Sequence, residues 1–291
     1  MALIEKLRAI GDAIRAKSGK GRPLTLTEMA DEIQALSAGD GEVPAPYVDS
    51  SQITSLRYFG YKGANASLFQ DAHFDTSNVT DFTGCFESCP LEKLPSRLDT
   101  SSAVEISDMF YRCEEESIFN YGKDISYLHL DLTHATNAHS MFSTAGYGKI
   151  PTLENYHNLE ILERMFYQST FITEVCLPNT TKAKTFANAF EGCQRLVKLE
   201  IDMSSATAYQ NAFKNTTALT DLTIGSVKIC DNLFALDTSP SLTVESLVGV
   251  LNAFQDNSGG TTYTVYLGSA NLAKLTDEQK QIAIAKNILL A

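Results

Sequence analysis

Apolar residues in the middle of the chain recur in two registers. Short runs alternate with polar residues: Leu196, Leu199 and Ile201; Leu219, Leu222 and Ile224; and, offset, Ile172, Val175 and Leu177. Period-two spacing predicts a short strand with one buried face. Ahead of these runs stands a single aromatic mark: Phe86, Phe110, Phe142, Phe166, Phe190, Phe213 and Phe234, at steps of 24, 32, 24, 24, 23 and 21 residues. Self-similarity at roughly 20–29 residues is the mark of an array in which each unit buries its apolar side against the next. The Met-Phe or Ala-Phe stretch of each unit predicts one or two turns of helix behind the strand. Three places after the Phe comes a small residue in six copies (Cys89, Cys113, Ala145, Ser169, Cys193 and Thr216), with Asp237 the exception. The expected fold class is an α/β solenoid of irregular leucine-rich repeats. Each unit is a short strand plus a short helix of 21–24 residues, with an insertion near Glu114–Tyr121 in the longer step.

The detailed wording narrows this. The segments DTSNVTDFTGCFESCPLEKL and DTSSAVEISDMFYRC resemble the BspA-like leucine-rich repeats of bacterial surface and phage proteins, and the resemblance runs over about residues 74–242. His73 to Asp81 carries it most closely; later copies drift, since Phe142 lacks the following Cys and Phe166 has Ser169 instead.

The sequence divides into four expected parts: 1–37, a helical segment; 38–50, a linker rich in Gly, Pro and acidic residues; 51–242, the repeats; and 243–291, a closing α/β cap. Leu3, Ile4, Leu7, Ile10 and Ile14 fall at helical spacing, as do Met29, Ile33 and Leu36 beyond a Gly/Pro break, giving a helical hairpin. Neither helix is long enough to hold alone in water, so their stripes are expected to meet each other or a partner chain. The string IGDAIRAKSGKGRPLTLTEMADEIQAL is similar to an N-terminal element of phage and prophage tail-associated structural proteins, where it serves attachment or oligomerisation. In 243–291, Thr243 is an expected N-cap, with Ser246 at the capping-box position where Glu or Gln serves better. Thr276 and Gln279 read as a capping box. This stretch resembles the cap that closes such arrays.

Charge and chemistry exclude more than they assign. With 23 basic and 35 acidic residues, a net charge of −12, the chain is poorly suited to sequence-independent nucleic-acid binding. No run approaches the ~20 apolar residues of a membrane span, and Glu5, Lys6 and Arg8 interrupt what a signal peptide would need. Six cysteines without a C-x-x-C pair read as buried structural thiols. His129, His134 and His139 step by five, which places no metal ligands on one helical face. No phosphate loop, nucleophile elbow or H-E-x-x-H string is present, so no enzyme, cofactor or metal is expected.

What remains is a face. If Leu199 and Ile201 point inward, Lys198, Glu200 and Asp202 point out; so do Asp221 and Thr223, Glu174, and His129 with Asp131. Stacked strands would align these side chains in rows about 4.8 Å apart, a candidate ligand-binding face. Together with the resemblances, this implies a phage or prophage virion protein: a tail, baseplate or fibre component made in the host cytoplasm without a signal peptide. It would attach to other virion proteins through 1–37 and bind a bacterial surface glycan or protein, as a homotrimer if it is a fibre. The alternative is a bacterial cell-surface or secreted adhesion module.

Overall fold

The computed structural model describes residues 50, 52–70, 74–90, 93–113 and 122–291. The expected helical hairpin, with Leu3, Ile4, Leu7, Ile10, Ile14, Met29, Ile33 and Leu36, lies outside the described residues, as do positions 38–49 and the insertion at 114–121.

Nine strands and four α-helices follow in order among the described residues, with short 3-10 turns at Tyr61–Gly63 and Tyr156–Asn158. The strands are β1 (Lys123–Asp124), β2 (His129–Asp131), β3 (Tyr147–Lys149), β4 (Thr152–Glu154), β5 (Glu174–Leu177), β6 (Lys198–Met203), β7 (Asp221–Val227), β8 (Tyr263–Val265) and β9 (Ile288–Leu290). The helices are α1 (Ala66–Gln70), α2 (Val244–Ala253), α3 (Gly268–Leu272) and α4 (Asp277–Ile284). Every ladder is parallel, and β5-β6-β7 forms the largest sheet. A second ladder is one residue wide and links repeat to repeat: Ser55, Asp81, Glu105, Asn137, Ile161, Thr185 and Ala208 bridge in turn. This is a repeat fold of short strands.

The aromatic marks form one column. Ring centroids of Phe86, Phe110, Phe142, Phe166 and Phe190 follow one another at 5.4–5.5 Å with planes within 18°. Phe213 follows at 6.3 Å, and Phe234 is tilted by 59° at 5.7 Å. All seven are buried, so each ring is shielded by the repeats on either side. The first described repeat has Gly60 in this register. A Cβ there would lie 3.0 Å from the Phe86 ring and 2.7 Å from the Cys85 carbonyl oxygen, and the ring of Phe69 covers Phe86 instead, at 4.8 Å.

The helix expected at the Met-Phe or Ala-Phe stretch of each unit is not formed at any of the seven Phe positions, for a reason in the backbone. The N–H groups of Phe82, Gly84, Phe86 and Ser88 donate to carbonyls of the next repeat, at 2.7–2.9 Å. Those of Cys85, Glu87 and Cys89 fold back three residues, at 2.9–3.0 Å. A helix needs every N–H to find the carbonyl four residues back. Here alternate N–H groups are committed to the neighbouring repeat, leaving a chain of turns. Left-handed residues four apart flank the column position in six of the seven copies, Phe234 being the exception, for example Gly84 and Ser88, Asp108 and Arg112, Asn188 and Gly192.

Two side-chain columns tie the repeats. Buried Thr76 donates to the Asp99 carbonyl (2.8 Å) and accepts from the Asp99 N–H (3.0 Å), and Thr180 does the same to Asp202. In three copies the small residue after the Phe is a donor to the preceding repeat as well as a filler. Cys113 (2.8 Å), Ser169 and Cys193 (3.0 Å) each donate to the Phe carbonyl of the preceding repeat. All six cysteines are free thiols; burial pushes that of Cys193 up to about 12 and those of Cys85 and Cys113 higher still.

Beyond the last Phe, Thr243 caps α2 by accepting from the Ser246 N–H, and Thr276 with Gln279 forms a reciprocal capping box on α4. Ser246 has a further task. Its hydroxyl donates to the Thr220 carbonyl and accepts from the Leu222 N–H, both at 3.0 Å, closing the outer edge of β7. A Glu or Gln, better at that capping position, would be too long to do this.

Candidate binding face and groove

Strict alternation builds the face on β5-β6-β7. Val175, Leu177, Leu199, Ile201, Leu222 and Ile224 are buried, so the intervening side chains point outward. Register then sets two outward rows: Glu174, Lys198 and Asp221, and beside it Cys176, Glu200 and Thr223. Charges within the rows pair across strands. Lys198 Nζ sits 3.1 Å from Glu174, and that carboxylate raises the ammonium pKa above its usual range. The Cys176 thiol donates to Glu200 at 3.1 Å; burial first, and then this carboxylate, push the thiol up.

Asp202 differs from its row-mates. Its carboxylate accepts from the Ser204 N–H (2.8 Å) and lies over Gly225, where a Cβ would come within 2.5 Å of Oδ2. It therefore holds a turn at a slip in register rather than standing free. Glu200 and Asp221 occupy different rows, since Asp221 faces Lys198 and Glu200 faces Thr223. That pattern is a charged sheet surface, not a paired-carboxylate centre.

His129 and Asp131 belong to another ladder. They lie on β2, paired with β4, and no strand pairing joins β4 to β5 among the described residues. His129 Nδ1 meets Glu154 at 2.9 Å. Asp131 accepts from the Thr133 hydroxyl (2.6 Å) and N–H (2.9 Å) and from Asn155 (3.1 Å). The Thr133 hydroxyl, chiefly, holds its carboxyl below the usual range. The candidate residues thus fall into two groups rather than one continuous face.

The second group opens on a groove of about 660 Å³ that the strand pattern does not show. Phe69, Phe74 and Leu98 give it apolar wall, and Arg97 and His129 are the basic groups among its described lining residues. Among the described residues, Asp75, Asp99, Asp131 and Glu154 bring carboxylates to it. Asp75, Asp99 and Asp131 come from one repeat position, each accepting from the N–H two residues on: Ser77, Ser101 and Thr133. The DTS string is the sequence signal for two members of this stack, with Thr76 and Thr100 turned inward as ties and Asp75 and Asp99 outward; at Asp131 the string is DLT, and buried Leu132 takes the inward place. A smaller groove of about 520 Å³ lies between the outer face of β7 and the start of α2, lined by Asp221, Thr223, Glu245 and Gly249 among others. Among the described residues no cluster of His, Cys, Asp and Glu fits a metal ion, and no helix is long and apolar enough to cross a membrane.

Family comparison agrees with the architecture. A model described as a BspA type leucine rich repeat region matches residues 116–243 in six copies. A second, described as a Mycoplasma protein of unknown function, DUF285, matches residues 54–172. The chain therefore carries a BspA-type leucine-rich-repeat region and a DUF285 domain, and such repeats suggest a surface or protein-interaction module. The matched stretch begins upstream of residue 74, where Ser55 already bridges Asp81. No curated protein and no solved structure matches the chain.

Proposed function

We propose that this chain is a non-catalytic binding module. Its stacked repeats form a solenoid, residues 243–291 cap the array, and the partner contacts the Glu174–Lys198–Asp221 face and the adjoining groove. The observation that carries this reading is the ordered pair of outward polar rows on a BspA-type repeat region. Solenoids use such extended surfaces for recognition.

The finer reading is a phage or prophage virion component of the tail, baseplate or fibre. In it, residues 1–37 attach to other virion proteins and assemble the chain, as a homotrimer in a fibre, while the repeats contact a bacterial surface glycan or protein. The resemblance of the 1–37 segment to tail-associated elements supports it. A second reading, an adhesion module on the bacterial surface or secreted from it, is equally compatible with the BspA-type region. Gold-labelled antibody against this chain separates the two. Label on purified particles, lost when 1–37 is deleted, is the expected result; label confined to the cell envelope rejects the virion role. Hydrolysis of peptidoglycan or capsule by the purified chain, abolished by Glu200→Gln, would reject the non-catalytic reading.

A further inference from the structure

Charge is distributed unevenly along the chain. Residues 1–24 carry six basic side chains (Lys6, Arg8, Arg15, Lys17, Lys20 and Arg22) and two acidic ones (Glu5 and Asp12), a net of +4. With −12 on the whole chain, residues 25–291 carry −16. The same 24 residues contain the apolar positions Leu3, Ile4, Leu7, Ile10 and Ile14. A basic, apolar segment is thus joined to an acidic body.

The groove has complementary chemistry. Among its described lining residues, Asp99, Asp131 and Glu154 present carboxylates, and Phe74 and Leu98 give it apolar wall. Asp75, Asp99 and Asp131 stand on successive repeats. The turns of Asp99 and Asp131 adjoin through Thr100, their like charges repel, and a cation between them offsets that cost. The chain also enters the described fold beside this groove. Ser50 is buried, and its hydroxyl accepts from the N–H of Asp75, a groove residue, at 2.6 Å. Residues 25–49 supply 25 residues of connection, and that length reaches up to about 80 Å when extended. Tethering at the rim raises the local concentration of the segment far above that of a free peptide.

We propose that the groove between Phe74, Leu98, Asp99 and Asp131 receives the basic, apolar segment 1–24 of the same chain. Its lysines and arginines lie against the carboxylates, and its aliphatic side chains against the apolar wall. The docked segment is withheld from other chains until a partner displaces it. This holds whether that partner belongs to a virion or to a cell surface, so its failure leaves the binding-module reading standing.

Carbodiimide coupling of the full-length chain tests it, because the reagent joins a carboxylate only to an amine in contact. Lys198–Glu174 (3.1 Å) and Lys149–Asp124 (2.8 Å) serve as internal positive controls. In about 20 mM salt, where screening is weak, peptide mapping is expected to show Lys6, Lys17 or Lys20 joined to Asp99, Asp131 or Glu154. The yield should fall several-fold in about 0.5 M salt. It should also fall several-fold at Glu154 in the Asp99→Asn/Asp131→Asn variant. Asn keeps the oxygen that accepts from Ser101 and Thr133, so the turns survive and only charge is lost. Control links without groove links overturn the proposal. So do groove links that join isotope-labelled to unlabelled chains in a mixture, because the occupant is then a second copy. A neutral oligosaccharide that abolishes the groove links while the salt and Asn effects are absent overturns it as well.

Discussion

Replacing Ser246 with Ala removes one hydroxyl that does the work of a missing strand. β7 is the outer strand of its sheet, and the Ser246 hydroxyl bonds both the Thr220 carbonyl and the Leu222 N–H at 3.0 Å. Leu222 is 2% exposed, so its N–H has no access to solvent. A buried donor left unpaired costs about 1–3 kcal/mol. The Thr220 carbonyl keeps its bond from the Thr243 N–H (3.1 Å), so the loss is set by the Leu222 N–H and should be about 2 kcal/mol. Urea unfolding should show this as a lower midpoint at unchanged slope. Hydrogen exchange should show the Leu222 amide losing protection about 30-fold if it exchanges by local opening. Ser246→Thr keeps the hydroxyl and should retain most of the stability. Thr243→Ala, which removes only the helix cap, should cost about 1 kcal/mol and leave the Leu222 amide protected. Wild-type stability and unchanged Leu222 exchange in Ser246→Ala would refute the edge-closing role.

Other expectations follow from the same columns. Ala145→Ser places a hydroxyl at the position from which Cys113, Ser169 and Cys193 reach the preceding Phe carbonyl, and should stabilise by about 0.5–1.5 kcal/mol in urea unfolding. Thiol titration of the native chain should label Cys176 first and Cys230 next, with Cys85, Cys89, Cys113 and Cys193 reacting only on unfolding. The buried thiols of Cys85, Cys113 and Cys193 have native pKa values above the ordinary 9.0, so the unfolded chain ionises first. Their contribution is complete below pH 9.0 and falls as pH rises above it, by up to about 1.4 kcal/mol per pH unit for each thiol, as read by stability curves at pH 8 to about 10.5.

The sequence made the ring column and the β5-β6-β7 alternation legible because both are periodic and local. Leu199 and Ile201 point inward whatever lies beside them, and a Phe every 21–24 residues, with one longer step of 32, is plain without knowing its partner. The Met-Phe stretches misled for the opposite reason. The N–H of Phe86 is bound by Met109, 23 residues away, and no local propensity reports that bond. Part of the turn chemistry was visible: Gly84, Gly192, Asn188, Asn211 and Asn215 are residues that favour a positive φ. Arg164 and Gln168 adopt the same geometry without any such signal. His129 and Asp131 pointed to the groove, but Phe69, Phe74 and Arg97 reach it from repeats whose strand pattern is too short to read. Ser246 looked like an imperfect capping-box residue because its true partners lie 24 and 26 residues upstream.

The stacked column itself is tested most directly by double-mutant cycles between its rings. Phe142 and Phe166 lie 5.4 Å apart with planes at 13°, whereas Phe86 and Phe213 are separated by four other rings of the column. Leu substitutions, singly and together, in urea unfolding should give a coupling of about 0.5–1.5 kcal/mol for the adjacent pair and none for the distant one. Equal coupling in both pairs, or none between Phe142 and Phe166, would contradict a fold held by ring upon ring.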